Sequence, residues 1–248
     1  MPKDLSDKTF LIFGGSGGIG RELCRLLAAR DARLVIAGRN EQSLKEVADE
    51  FGASVEHCEA HDAARIKEVI ANAPSEQAPL AGIVNAFGTM LLKPAHLTSD
   101  EEWNETLSVN LTSAFAITQA AAKAFPKDGG SVVFISTVAA RIGIPNHEAI
   151  AAAKAGLIGL ALSAAATYAP KKIRYNVVAP GLTDTPLAAK ITGNEASLEA
   201  SKRMHPLGRI GQPDEVASAI AWFLDPAQSW VIGQVLGVDG GLSTVRSR

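Results

Sequence analysis

Three glycines and one arginine set the first chemical possibility. In the run Gly14-Gly-Ser16-Gly-Gly18-Ile19-Gly20 the glycines recur as G-x-x-x-G-x-G, directly after the apolar stretch TFLIFG and directly before the helix-period RELCRLL. That spacing permits a tight turn, lets backbone approach a pyrophosphate, and lets a helix pack closely on a strand. The amide groups opening the helix then face the phosphates. The chemistry to which this points is dinucleotide binding. The next strand should end beside the adenosine ribose, where a carboxylate favours NAD(H) and an arginine favours the 2′-phosphate of NADP(H). Here the run is Ala37-Gly38-Arg39-Asn40, with no acid and a planar guanidinium fork at Arg39, so NADP(H) is expected over NAD(H).

Around that loop, apolar runs of strand length alternate with helix-period segments along the chain. The strand candidates are 9–14, 33–38, 54–59, 82–88, 131–136, 173–180 and 234–239, and between them lie helical patterns such as EQSLKEVADEF and PDEVASAIAWFL. Alternation of this kind predicts parallel strands joined by crossover helices. The expected fold is α/β: a Rossmann-like, doubly wound, seven-stranded parallel sheet with helices on both faces. No repeat, low-complexity tract or linker divides residues 1–248, which read as a single domain.

Composition narrows the function classes. The 248 residues are 47% hydrophobic and 20% charged, with a formal net charge of −2 and scattered Lys and Arg, which offers no footprint for nucleic acid. Two cysteines, Cys24 and Cys58, are too few for a disulfide framework and read as core thiols. His57, Cys58, His61 and Asp62 cluster in sequence, but strand alternation sends His57 and Cys58 to opposite faces, so no metal is expected. The N-terminal run carries acids before a short apolar stretch, unlike a secretory signal; the expectation is a cytoplasmic protein. Residues 149–169 are nearly all apolar, yet Lys154 interrupts a run made mostly of Ala and Gly, which predicts a buried helix rather than a membrane span. Such a helix needs burial on several sides, within the subunit and against a second copy, so a homodimer or homotetramer is expected.

Taken in order, these motifs resemble the short-chain dehydrogenase/reductase family over essentially the whole chain. After the glycine loop come Asn85-Ala-Phe-Gly88, Asn110 in SVNLTSAF, Lys154 in NHEAIAAAKAG, Asn176-Val-Val-Ala-Pro180-Gly181 and Val238-Asp-Gly-Gly241. The resemblance, closest to the 3-oxoacyl reductase-like members, implies cofactor contacts at the loop residues Gly14, Ser16, Gly18, Ile19 and Gly20, and at Arg39, Asn85, Gly88, Lys154, Pro180, Gly181, Thr183 and Thr185. It also implies a mobile substrate lid at about 182–212. For catalysis it implies an asparagine at Asn110, a carbonyl-polarising hydroxyl at Thr137, with Ser136 adjacent, and a ribose-binding lysine at Lys154. The family's proton-donating tyrosine stands thirteen residues after that hydroxyl and four before the lysine. This chain has Ile150 there.

Isoleucine has no proton to give, and a general acid supplies about a hundred- to ten-thousand-fold in rate. The implied function is an NADP(H)-dependent oxidoreductase acting on a small carbonyl or alcohol substrate, with altered or reduced activity. His147, one helical turn before Ile150, is a candidate replacement acid. Two other readings stay open: a silent nucleotide-binding protein or partner subunit, and an active reductase whose tyrosine had been replaced. Phe13, Phe87 and Glu59 also depart from the family pattern, which suggests natural divergence. Tyr168 and Tyr175 lack the spacing to replace the missing phenol, and Tyr175 reads as core. Met90, Leu91, Ile142, Ile144 and Leu187 are expected to form an apolar pocket fit for an aliphatic ketone or 3-oxoacyl group.

Overall fold

Both faces of the sheet are apolar because its inner strands alternate between two cores. In the computed structural model, which describes residues 4–75 and 77–246, strand β1 (Thr9–Phe13) sends Leu11 and Phe13 to one core and Phe10 and Ile12 to the other. The same division recurs in β2 (Arg33–Gly38), β4 (Leu80–Asn85), β5 (Gly130–Ile135) and β6 (Ile173–Pro180). Strands buried on both faces read as continuous Val/Ile/Leu runs, the signature of a parallel sheet. With the edge strands β3 (Ser54–His57) and β7 (Val235–Val238), the order is β3-β2-β1-β4-β5-β6-β7, all parallel. The expected seven-stranded, doubly wound sheet is present.

Helices α1 (Gly18–Ala28), α2 (Glu41–Phe51) and α9 (Pro213–Leu224) cover one face. The other carries α3 (Ala63–Asn72), α5 (Ser113–Ala124) and α6 (Glu148–Tyr168), with α4 (Asp100–Leu107) packed on α6. Two short helices, α7 (Ala189–Thr192) and α8 (Glu195–Met204), lie in the excursion between β6 and α9. Helices α2 and α9 occupy the segments their periodicity predicts. Some strand limits differ. The run expected at 82–88 forms β4 two residues earlier and stops at Asn85, because the Asn85 side chain accepts the Phe87 N–H at 3.1 Å and turns the chain. The run expected at 54–59 ends at His57; Cys58 lies beyond it, buried, with its N–H still donated to Gly38 O.

The order reverses between β1 and β4, and such a switch point opens a crevice at the carboxyl ends of the strands. Registers align those ends: Phe13 pairs with Asn85, and Ile135 with Val178. Loops leaving β1, β4, β5 and β6 therefore meet at one edge. Helix α6 is long and apolar enough to cross a membrane, but its Ala153, Leu157, Ala161 and Ala164 are buried in the core. Small residues permit that approach: a Cβ on Gly156 would sit 2.8 Å from the Leu111 side chain. Tyr175 is fully enclosed between Phe134 and Tyr168.

Candidate active site

Beyond β1 the glycine loop is dictated by contact. Gly14 has φ +79° and a Cβ there would lie 2.6 Å from Ala86 O, across the switch point; a Cβ on Gly20 would lie 2.3 Å from Gly14 O. Neither position has room for a side chain. Helix α1 starts at Gly18 with no side-chain cap from Gly17, which leaves its first N–H groups to the crevice. Thr185, after β6, lies against Gly18, its methyl carbon 3.0 Å from where a Cβ would stand.

Helix α6 is tied to the end of β5 by two reciprocal bonds. Lys154 Nζ donates to Ile135 O at 2.8 Å, and Ser136 Oγ donates to Lys154 O at 2.8 Å. Burial pushes the Lys154 ammonium down to about 8. Thr137 Oγ1 accepts the Ala139 N–H at 3.3 Å, which leaves its own hydrogen to give. Ile150 sits one turn before the lysine, 5% exposed. At the helix start, His147 Nδ1 lies 2.7 Å from Pro145 O. A carbonyl only accepts, so this nitrogen carries the hydrogen.

These groups line one cavity of about 290 Å³, together with Gly14, Gly18, Ile19, Gly20, Gly88, Pro180, Gly181, Thr183 and Thr185. Its remaining wall is largely apolar and includes Phe87, Met90, Ile144, Leu187, Ile191, Met204 and Leu242. Leu91 and Ile142, expected in that wall, are outside it. Four of the sequence candidates also lie off the cavity. Asn85 is buried, its amide donating to Ser113 Oγ at 3.1 Å and its carbonyl oxygen accepting the Phe87 N–H, so both ends are used in shaping the turn. Asn110, on a π-helical turn Ser108–Thr112 after α4, donates to Thr106 O and Thr89 Oγ1 and accepts the Thr89 N–H. Its side chain therefore acts on the Thr89 loop and not on the cavity directly. Ser16 and Arg39 stand apart from it; Arg39 is exposed just past β2, where Asn40 caps α2 through the Ser43 N–H at 2.9 Å. Near β3, Asp62 caps α3 and His61 faces Glu59 at 3.6 Å.

The 182–212 segment is closed at its base: Thr183 bridges Gly211, Asp184 N–H donates to Gly211 O, and Gly211 N–H donates to Leu182 O. His205, at the end of α8, was not foreseen. Only 4% exposed, it donates from Nδ1 to Ser201 O at 2.7 Å and accepts the Leu182 N–H on Nε2 at 3.3 Å, joining α8 to the end of β6. A lone histidine in a polar helix gave no signal of that role.

A family model described as Enoyl-(Acyl carrier protein) reductase matches residues 14–243. The chain belongs to the short-chain dehydrogenase/reductase family. A 2,5-dichloro-2,5-cyclohexadiene-1,4-diol dehydrogenase of Sphingobium indicum is 32% identical, over 98% of this chain and 99% of that protein. A 3-oxoacyl-[acyl-carrier-protein] reductase of Thermotoga maritima is 35% identical, over 96% and 98%. Among solved structures, a glucose/ribitol dehydrogenase of Brucella melitensis superposes with TM-score 0.92 at 28% identity, covering 99% and 100%. An actinorhodin polyketide ketoreductase variant with NADPH does so at 0.91 and 26%, with the same coverage. The family uses nicotinamide cofactors and oxidises or reduces alcohol and carbonyl groups. The residues here fit such a cofactor: the uncapped start of α1 borders the cavity with its first N–H groups, and Lys154 and Thr183 border the space beyond it.

Proposed function

We propose that this protein is an NADP(H)-dependent oxidoreductase for a small, largely apolar carbonyl or alcohol compound, with proton delivery altered and turnover reduced by Ile150. The carrying observation is that the glycine loop with the uncapped start of α1, Lys154, Thr137 and an apolar wall all border one cavity, while the tyrosine place in that wall is an isoleucine. Bound there, the nicotinamide supplies or accepts hydride. The first N–H groups of α1 would hold the pyrophosphate, Lys154 would bond the nicotinamide ribose, and Thr137 would donate to the carbonyl oxygen. Positioning of this kind retains several kcal/mol of barrier reduction without a phenol. NADP(H) over NAD(H) is supported by Arg39, exposed and with no ion-pair partner among the described residues, and by the absence of an acid at the end of β2. The two buried, unpaired cysteines accord with a reducing compartment such as the cytoplasm. Leu162 on α6 and Phe115 on α5, each about half exposed, support association into a homodimer or homotetramer.

The test has two arms. Fluorescence titration should give tighter binding of NADPH than of NADH, with the difference lost in Arg39→Ala. A panel of aliphatic ketones and 3-oxoacyl thioesters should then be reduced slowly by the protein and about a hundred- to ten-thousand-fold faster by Ile150→Tyr. Turnover confined to Ile150→Tyr would favour the second reading, a nucleotide-binding protein or partner subunit without catalysis, for which the isoleucine itself speaks. No binding of either nucleotide would remove both. Phe13 and Phe87, two other departures from the family pattern, pack on one another with ring centroids 5.4 Å apart and planes tilted by 49°, in keeping with natural divergence.

A further inference from the structure

We infer that His147 is the proton donor in this protein, delivering from Nε2 the proton that a phenol at position 150 delivers elsewhere in the family. The inference rests on the oxidoreductase reading above. His147 lines the same cavity as Thr137, Ile150 and Lys154. As the residue before α6, it precedes Ile150 by three positions, about one helical turn, which sets both on the same side of the helix. The Nδ1–H donated to Pro145 O fixes the ring and its tautomer, as a backbone carbonyl does for many functional histidines. Nε2 is thereby left as the nitrogen that gains and loses the working proton. The ring caps no helix N–H, so its place is not explained by helix termination.

The charged and titratable groups around it are few. Glu148 follows it on the helix, exposed; the Lys93–Glu102 pair lies behind Asn146, whose carbonyl accepts the Lys93 N–H; Lys154 and His205 face the cavity from α6 and from the end of α8. None of them is bonded to the ring. Hydride from bound reduced nicotinamide would form the new C–H bond, leaving the nicotinamide oxidised, as the C=O π pair moves onto oxygen. An O–H bond then forms with the Nε2 proton, and the N–H bonding pair stays on the imidazole. Solvent returns the proton to Nε2. Thr137 holds the oxygen throughout.

Two measurements test this. In the cofactor-free protein, nitrogen-15 NMR of the histidine rings should find neutral His147 protonated on Nδ1, with Nε2 taking up the proton on acidification. A ring neutral with its hydrogen on Nε2 would overturn the assignment. Kinetically, His147→Ala should lower kcat for ketone reduction about a hundredfold with KM and NADPH affinity nearly unchanged. Added imidazole should restore part of the loss, and His147→Ala in the Ile150→Tyr background should have little effect. A variant that keeps the parent's kcat, or a loss that imidazole does not relieve, would sink the proposal while leaving cofactor binding and the oxidoreductase reading intact. A parent inactive until Ile150→Tyr is introduced would sink it as well.

Discussion

The two sides of the cavity are built on different principles. On the glycine-loop side the walls are backbone: Gly14 faces Ala86 O, Gly20 faces Gly14 O, and a Cβ at either would come within 2.6 Å or 2.3 Å of that oxygen. On the α6 side the walls are side chains hung on a helix, Ile150 and Lys154, with His147 at its start. Backbone walls fail with the fold; side-chain walls can be exchanged while the fold survives. This difference teaches why residues on the α6 side can change while the glycine-loop side keeps its shape.

The sharpest way to break the comparison is to substitute one residue on each side. Gly14→Ala places a side chain at φ +79°, a conformation costing roughly 1–2 kcal/mol, and drives its Cβ into Ala86 O, where overpacking adds about 1–3 kcal/mol. Loss of about 2–5 kcal/mol in urea unfolding, with NADPH binding abolished, is expected. Ile150→Val should cost only about 0.5–1.5 kcal/mol and leave NADPH affinity unchanged. Equal costs on the two sides would end the distinction.

Lys154 is the charged member of the α6 side, and its titration measures what burial imposes. Its ammonium is lowered from 10.5 to about 8 by desolvation. Below about pH 8 both folded and unfolded chains hold the proton, and the folded state carries the full penalty, on the order of 3 kcal/mol. Between about pH 8 and 10.5 the unfolded chain binds the proton that the folded chain has released, so this group's contribution to stability rises with pH. Lys154→Met should therefore be more stable than the parent at pH 7. The gain is about 2 kcal/mol after allowing roughly 1 kcal/mol for the lost bond to Ile135 O, and it should shrink as pH approaches 10. Urea unfolding of the cofactor-free proteins at pH 7, 8.5 and 10 reads the trend, and NADPH affinity should fall in the same variant.

What the sequence disclosed follows the same division. Backbone-made features were legible because they constrain residue type: the glycine spacing located the loop, and the alternation of apolar runs placed all seven strands, with α2 and α9 to the residue. Side-chain features were harder. Asn85 and Asn110 are where motif matching expects them, but their partners, Ser113 and Thr89, lie 28 and 21 residues away in the chain and carry no local signal. His205 became visible only when the base of the 182–212 segment closed and brought α8 against Gly181. Leu91 and Ile142 have the hydrophobicity of pocket residues without their direction, which composition does not encode. Ile150 was the exception, legible because its place is defined by counting from Lys154.

The smallest predicted effect separates a compensated departure from an uncompensated one. Phe13 is fully buried at the end of β1 and Phe87 partly buried after β4, with ring planes tilted at 49°. Tilted aromatic pairs contribute about 0.5–1.5 kcal/mol beyond area burial. Truncating either ring leaves the other against a void, so once one is gone the second has less to lose. In a cycle of Phe13→Thr, Phe87→Ala and the double variant, the summed single losses should exceed the double loss by about 1 kcal/mol, measured in urea. Strict additivity would mean that the two rings changed independently. Coupling of the predicted size would mean that one large ring made room for the other in the cradle. Ile150 lines the same cavity, 5% exposed, and the Ile150→Tyr and His147→Ala variants read whether its departure is offset in the same way.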